Sequence, residues 1–150
     1  MLLSDPGVVQ AAISTSDAGV GTGTLGRDGS VDRSLVFRLA GRVYCCDVAD
    51  VREVVPLERL TRLPGAPPTV LGLMNVRGSI ITVVNAAAVL HPDAPRRIQR
   101  MVLIVDAGAR GVGLSVERVA DVRALREEEG YTELDVRDLV ARVIAIQEDE

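Results

Sequence analysis

The chain has 150 residues, a net charge of −4, 47% hydrophobic and 25% charged residues, which fits one domain, or two small barrels sharing a core, and nothing larger. Acidic residues outnumber basic ones 21 to 17, every basic residue is arginine, and Phe37, Tyr44 and Tyr131 are the only aromatics. Neither the counterion release nor the stacking platforms that nucleic-acid binding depends on are on offer, so no nucleic-acid partner is expected.

Residues 7–29 hold six glycines among Ser, Thr, Asp and Ala, too little apolar area to offset the entropy of ordering, so 1–33 reads as a flexible Gly-rich arm. The opening Met1-Leu2-Leu3 is too short an apolar run for a signal peptide, and nowhere do apolar residues approach the ~20 needed to span a bilayer. A cytoplasmic protein without membrane insertion is expected. Gly21, Gly23 and Gly26 match the dinucleotide spacing G-x-G-x-x-G, but no strand feeds them and no helix leaves them to hold a pyrophosphate, so a linker is the better reading.

Short β-rich runs begin at Ser34. Residues 34–39 (SLVFRL) and 42–48 (RVYCCDV) flank Ala40-Gly41, the pattern of a hairpin with a tight turn. Cys45 and Cys46 are adjacent, so on a strand they face opposite ways; they suit small buried hydrophobes better than a disulfide or a metal. Residues 51–55 (VREVV) predict a half-polar strand with an exposed face, stopped by Pro56, after which Pro64, Pro67 and Pro68 make an extended connector. Two more strands follow at 71–77 and 79–84, broken at Gly78. Asn85 then caps a short Ala-rich helix through Leu90 that ends before Pro92. His91 is the single histidine and has no partner at metal spacing, so no metal and no cofactor is expected.

The continuous apolar run 101–106 predicts a buried strand, 107–111 a turn, and 112–116 and 119–125 two further strands. Residues 127–130 (EEEG) read as a solvated turn. Over 134–146, Val136, Leu139, Val140 and Val143 fall at i, i+3, i+4 and i+7, the stripe of an amphipathic helix whose Arg137, Asp138 and Arg142 face water. Seven to nine strands with two helices give a mainly β, barrel-like class.

Catalytic signatures are missing from this set. Ser115 sits in GLSVE, where the closing Glu117 breaks the nucleophile-elbow pattern, and no histidine follows it. Glu53 and Glu117 are conceivable as a carboxylate pair, but separate ion pairs with arginine explain them better. No catalytic residue is assigned, and short strands with exposed valines and isolated arginines suit the binding of another protein.

Several of these runs together resemble a known family. Residues 51–55 (VREVV), 63–67 (LPGAP), 72–78 (GLMNVRG), 80–84 (IITVV) and 112–119 (VGLSVERV) are similar in order and spacing to the CheW-type coupling domain of bacterial chemosensory systems, over about 34–126. The resemblance implies a CheW-like domain at 34–150 made of two five-stranded β-barrels on a shared hydrophobic core. It implies a non-enzymatic adaptor whose partners are the helical tip of a methyl-accepting receptor and a CheA-type histidine kinase. Carried over by position, the receptor-binding residues would be Val51, Gly72, Arg77, Gly78, Gly113, Val119 and Val122, and the kinase-binding residues Glu53 and Ile80. Arg77 is the strongest of these, since a charge closing an apolar strand needs a partner.

Two departures matter. Val83-Val84-Asn85-Ala86 stands where the family continues Val-Val-Asp-Leu, and only about eight residues separate Leu125 from the final helix, which predicts a truncated second barrel. The expectation is an accessory coupling protein with weakened kinase contact, serving beside a second, complete coupling protein. The alternatives are a full adaptor that binds receptor and kinase alike, or a small-molecule sensor with its ligand between the barrels.

Overall fold

The computed structural model describes residues 33–107, 110–123 and 132–148. Most of the Gly-rich arm, its G-x-G-x-x-G sequence and the acidic turn at 127–130 lie outside them. In chain order come β1 (Ser34–Leu39), β2 (Arg42–Asp47), a 3-10 turn (Val48–Asp50), β3 (Glu53–Pro56), β4 (Val70–Val76), β5 (Ser79–Asn85) and α1 (Ala86–Leu90). They are followed by β6 (Met101–Ala107), β7 (Arg110–Val116), β8 (Arg118–Arg123), β9 (Thr132–Glu133) and α2 (Val136–Glu148). The mainly β class with a C-terminal helix is the expected one.

The strands form two sheets, ordered β8-β1-β2-β9 and β3-β6-β7-β5-β4. They are not divided as the halves of the chain. The two ends of the described chain combine in the four-stranded sheet, and its middle makes the five-stranded one. The hairpin read from sequence at Ala40-Gly41 is present, and the two strands read on either side of Gly78 pair as a second one. Leu39 pairs with Arg42 around Ala40-Gly41, whose φ angles of 53° and 73° are those of a type I′ turn.

One cluster of buried side chains joins the sheets: Leu35, Phe37 and Leu39 of β1 meet Leu103 and Val105 of β6, Leu114 of β7 and the Val136, Leu139, Val140, Val143 stripe of α2. The helix therefore buries the face that its periodicity predicted, and Arg137, Asp138 and Arg142 are exposed. A smaller cluster of Met74, Val83, Val102 and Ile104 fills the other side of the five-stranded sheet. β6 thus sends Met101, Leu103 and Val105 into one core and Val102 and Ile104 into the other, which is why its run is apolar throughout.

β3 differs from expectation. The strand starts at Glu53, and Val51 instead closes the 3-10 turn, its amide donating to the Val48 carbonyl at 3.0 Å. Val51, Glu53 and Val54 are all buried, so the exposed face predicted for this segment is confined to Arg52. Arg52 bonds Asp106 at 2.9 Å.

β3 and β4 are the two edges of their sheet, yet the chain after β3 returns to close it: Thr61 and Leu73 exchange two backbone hydrogen bonds of 2.8 Å. Gly72 permits that approach. Its φ is +149°, and a Cβ there would stand 2.5 Å from the Thr61 carbonyl oxygen, inside contact distance. Gly72→Ala should therefore cost about 2 kcal/mol in urea unfolding. A cost below a few tenths would show that the closure does not depend on this glycine.

Candidate functional site

The β4–β5 hairpin carries the expected Asn75-Val76-Arg77-Gly78 sequence at its tip. Val76 pairs with Ser79, which leaves Arg77 and Gly78 as a two-residue turn with φ of 52° and 86°. The Asn75 side-chain oxygen accepts a 2.9 Å hydrogen bond from the Gly78 amide and locks the turn. Glycine suits this backbone. Arginine does not, because a side chain at positive φ costs on the order of 1 kcal/mol or more, so turn formation alone does not explain Arg77.

Its guanidinium reaches back to β3, where Nη2 lies 3.2 Å from Oε2 of Glu53. Arg77 is 77% exposed and the Glu53 side chain only 10%. The oxygen receives no aligned hydrogen bond, so charge rather than directed bonding holds the pair. With the arginine largely in solvent, the pair adds little stability. It leaves a buried acceptor incompletely satisfied, a state that costs free energy unless a donor arrives. Beside it, Ile80 is 61% exposed. Arginine, glycine, isoleucine and a half-satisfied carboxylate are recognition chemistry for a protein partner.

The structure separates the expected receptor residues. Arg77 and Gly78 are exposed at the tip, with Ile80 and Glu53 of the expected kinase set beside them. Glu53, Ile104, Gly113, Val83 and Gly72 form one row of cross-strand partners across the five-stranded sheet. Two of the expected residues are therefore interior glycines. A Cβ on Gly113 would stand 2.5 Å from Val102, so that glycine lets the smaller core close. Val51 and Val119 are 1% and 0% exposed and belong to the main core. A partner reaches neither side chain without opening that core. Val122 lies opposite Leu35 in β8.

The two carboxylates weighed as a pair take separate arginines. Glu117 bonds Arg97 at 2.6 Å and accepts the Gly41 amide at 2.8 Å. Burial alone would push its carboxyl up, but the Arg97 hydrogen bond, the Gly41 amide and the charges of Arg97 and Arg38 outweigh it and hold the group below the ordinary range. Ser115 is fully buried and donates to Gln99 at 2.7 Å. Gln99 in turn donates at 3.0 Å to Asn85, the α1 cap, which also accepts the Ala88 amide. Cys45 and Cys46 are free and buried, and burial first, then nearby carboxylates, raises both thiols. Thiols so raised are poor nucleophiles.

Periodicity missed the polar ties of the interior. The buried Tyr44 hydroxyl hydrogen-bonds His91 Nε2 at the end of α1 while its ring stacks on Phe37 at 6.1 Å. Among the described residues no three His, Cys, Asp or Glu side chains gather to hold a metal, and no helix is long and apolar enough to cross a membrane.

The CheW-like domain family matches residues 33–149. The chain belongs to that family. This CheW-like chain is 32% identical over 96 residues to the chemotaxis protein CheW of Rhizobium meliloti (strain 1021), covering 63% of this chain and 62% of that protein. It is 36% identical over 84 residues to the protein PilI of Pseudomonas aeruginosa, covering 55% and 47%. The crystal structure of the scaffolding protein TtCheW from Thermoanaerobacter tengcongensis superposes with a TM-score of 0.57 at 30% identity, covering 65% of this chain and 64% of that one. Each match spans less than two thirds of the relative's own length.

The turn geometry predicts an uncommon stability effect. In a Glu53→Gln background, where the ion pair is gone, Arg77→Asn should raise stability by about 0.5–1 kcal/mol, because asparagine tolerates the left-handed backbone. Urea unfolding of the single and double variants measures it. An unchanged or lowered midpoint would show that the turn does not strain Arg77.

Proposed function

We propose that this chain is a non-enzymatic adaptor of a bacterial chemosensory system, docking through the β4–β5 hairpin tip on the cytoplasmic helical tip of a methyl-accepting receptor. The observation that carries the reading is the exposure of Arg77 and Gly78 beside the buried Glu53. A helix approaching the tip meets a guanidinium with several donors and a glycine that lets backbone come close. Gly72, Gly113, Val51 and Val119 serve the docking surface from behind by setting the shape of the frame.

The accessory form of this role, with weakened kinase contact, is supported by the smaller sheet. It has four strands among the described residues against five in the other, and only twelve positions separate the end of β8 from the start of α2. Such an adaptor would work beside a second, complete coupling protein. The full adaptor is the competing reading, and the exposed Ile80 favours it, since an isoleucine in water beside Arg77 suits an apolar contact with a CheA-type kinase. On either reading the receptor and kinase surfaces adjoin at one hairpin.

Capture assays separate the outcomes. Arg77→Asp should weaken capture of the receptor tip by tenfold or more, about 1.4 kcal/mol or above, with an unchanged circular dichroism spectrum; retained capture would refute docking at the tip. Binding of the kinase regulatory domain at micromolar concentration would replace the accessory reading with the full adaptor.

A further inference from the structure

A groove of about 630 Å³ lies apart from the hairpin tip, lined by none of Glu53, Arg77, Gly78 or Ile80. Its volume falls within the range of small-molecule sites. The Pro-rich connector, α1 and the chain from His91 to Gln99 form its walls, which mix aliphatic and polar side chains. Three arginines, Arg62, Arg96 and Arg97, line it against one carboxylate, Glu117. With His91 neutral the lining is therefore cationic, on a chain whose net charge is −4.

Its polar groups do not balance. Asn85, Gln99 and Glu117 are the lining residues with side-chain oxygens, and every one of those oxygens is engaged. Glu117 takes the Arg97 side chain on Oε1 and the Gly41 amide on Oε2. The Ala88 amide can only donate, which turns Oδ1 of Asn85 toward it, and the same oxygen accepts from Nε2 of Gln99. Oε1 of Gln99 then accepts from the buried Ser115 hydroxyl. Donors are left over. Arg62 and Arg96 are exposed, and neither has an ion-pair partner among the described residues. Nδ2 of Asn85 donates to nothing among them and is not sealed in the interior. Spare donors and positive charge complement an anion.

The remaining walls decide which anion. No aromatic side chain lines the groove, which leaves no platform for a nucleotide or another ring. Phosphates are held by the backbone N–H groups of a glycine loop or an open helix N-terminus. The lining contains no glycine, and α1 is a five-residue helix whose Ala88 amide Asn85 already caps. Leu60, Leu63, Leu71 and Pro67 offer saturated carbon instead. A short aliphatic chain with a carboxylate at each end meets both demands, its carboxylates on the planar guanidinium forks and its methylenes against the leucines.

We propose that the groove binds a short aliphatic dicarboxylate, held by Arg62 and Arg96 at its rim and by the Asn85 amide in its wall. The ligand bridges the connector, which carries Arg62, and the chain after α1, which carries Arg96, and it neutralises the like charges they bring to one groove. This site goes beyond the adaptor reading and does not rest on it, so either can fail alone.

Titration of the isotopically labelled full-length chain with adipate at constant ionic strength tests it. The amide signals of Ala87, Ala88 and Gln99 and the side-chain amide of Asn85 should shift and saturate below about 20 mM, while those of Arg77 and Gly78 stay in place. Arg62→Gln with Arg96→Gln should raise the half-saturating concentration tenfold or more. Asn85→Asp keeps the capping oxygen but exchanges the donor for a negative charge, so it should abolish saturation with an unchanged circular dichroism spectrum. Adipamide, the neutral counterpart, should shift none of these signals. Shifts that do not saturate or that spread to arginines elsewhere would overturn the proposal. So would an equal response to adipamide or to inorganic phosphate, or indifference to the substitutions.

Discussion

One strand buried on both faces governs this architecture. β6 lies within the five-stranded sheet between β3 and β7 and divides its side chains between two interiors, Leu103 and Val105 on one side, Val102 and Ile104 on the other. All four are fully buried. Neither sheet could bury its apolar face alone, and a two-core arrangement around one strand solves that with a chain of this size. The main interior also takes the α2 stripe, so the end of the described chain is tied to the same strand.

From that frame the hairpin tip follows. β4 and β5 hold the edge of the five-stranded sheet, the Thr61–Leu73 bridge closes it, and Gly72 and Gly113 let backbone and core come together without side chains between them. The tip is then presented from a braced edge rather than from a free loop, which keeps Arg77 near Glu53. A strained residue on a rigid support is pre-organised for recognition, because little more is ordered when a partner binds. The same bracing explains why most of the residues expected at the docking surface are interior. They shape the support.

Local features of this fold were legible in the sequence, and long-range ones were not. The first hairpin could be read from Ala40-Gly41, the strands β4 and β5 from the break at Gly78, α2 from the spacing of Val136, Leu139, Val140 and Val143, and β6 from its unbroken apolar run, because each is a property of neighbouring residues. The pairing of β1 with β8 was not, since no periodicity encodes which distant strand supplies the next ladder. The burial of Val51 was missed as well, whereas that of Val119 was open to a core reading from its place in an apolar strand. Val51 looked like a strand residue, and only the 3-10 turn that begins at Val48 rotates it inward. Arg77 was found because a charge at the end of an apolar strand is anomalous locally. Its partner Glu53, across the edges of the sheet, was legible only as a carboxylate without an address. The family resemblance supplied what periodicity lacked, and its site residues divide into an exposed tip and a buried frame once the structure is known.

If β6 joins both sheets to one interior, the two sheets open together. Native-state amide exchange measures this directly. The account predicts that the Val36 amide of the four-stranded sheet and the Ile104 and Val83 amides of the five-stranded one exchange only by global unfolding, at the same free energy. Exchange of the β1 and β2 amides through a separate opening, several kcal/mol below that of β6, would contradict it.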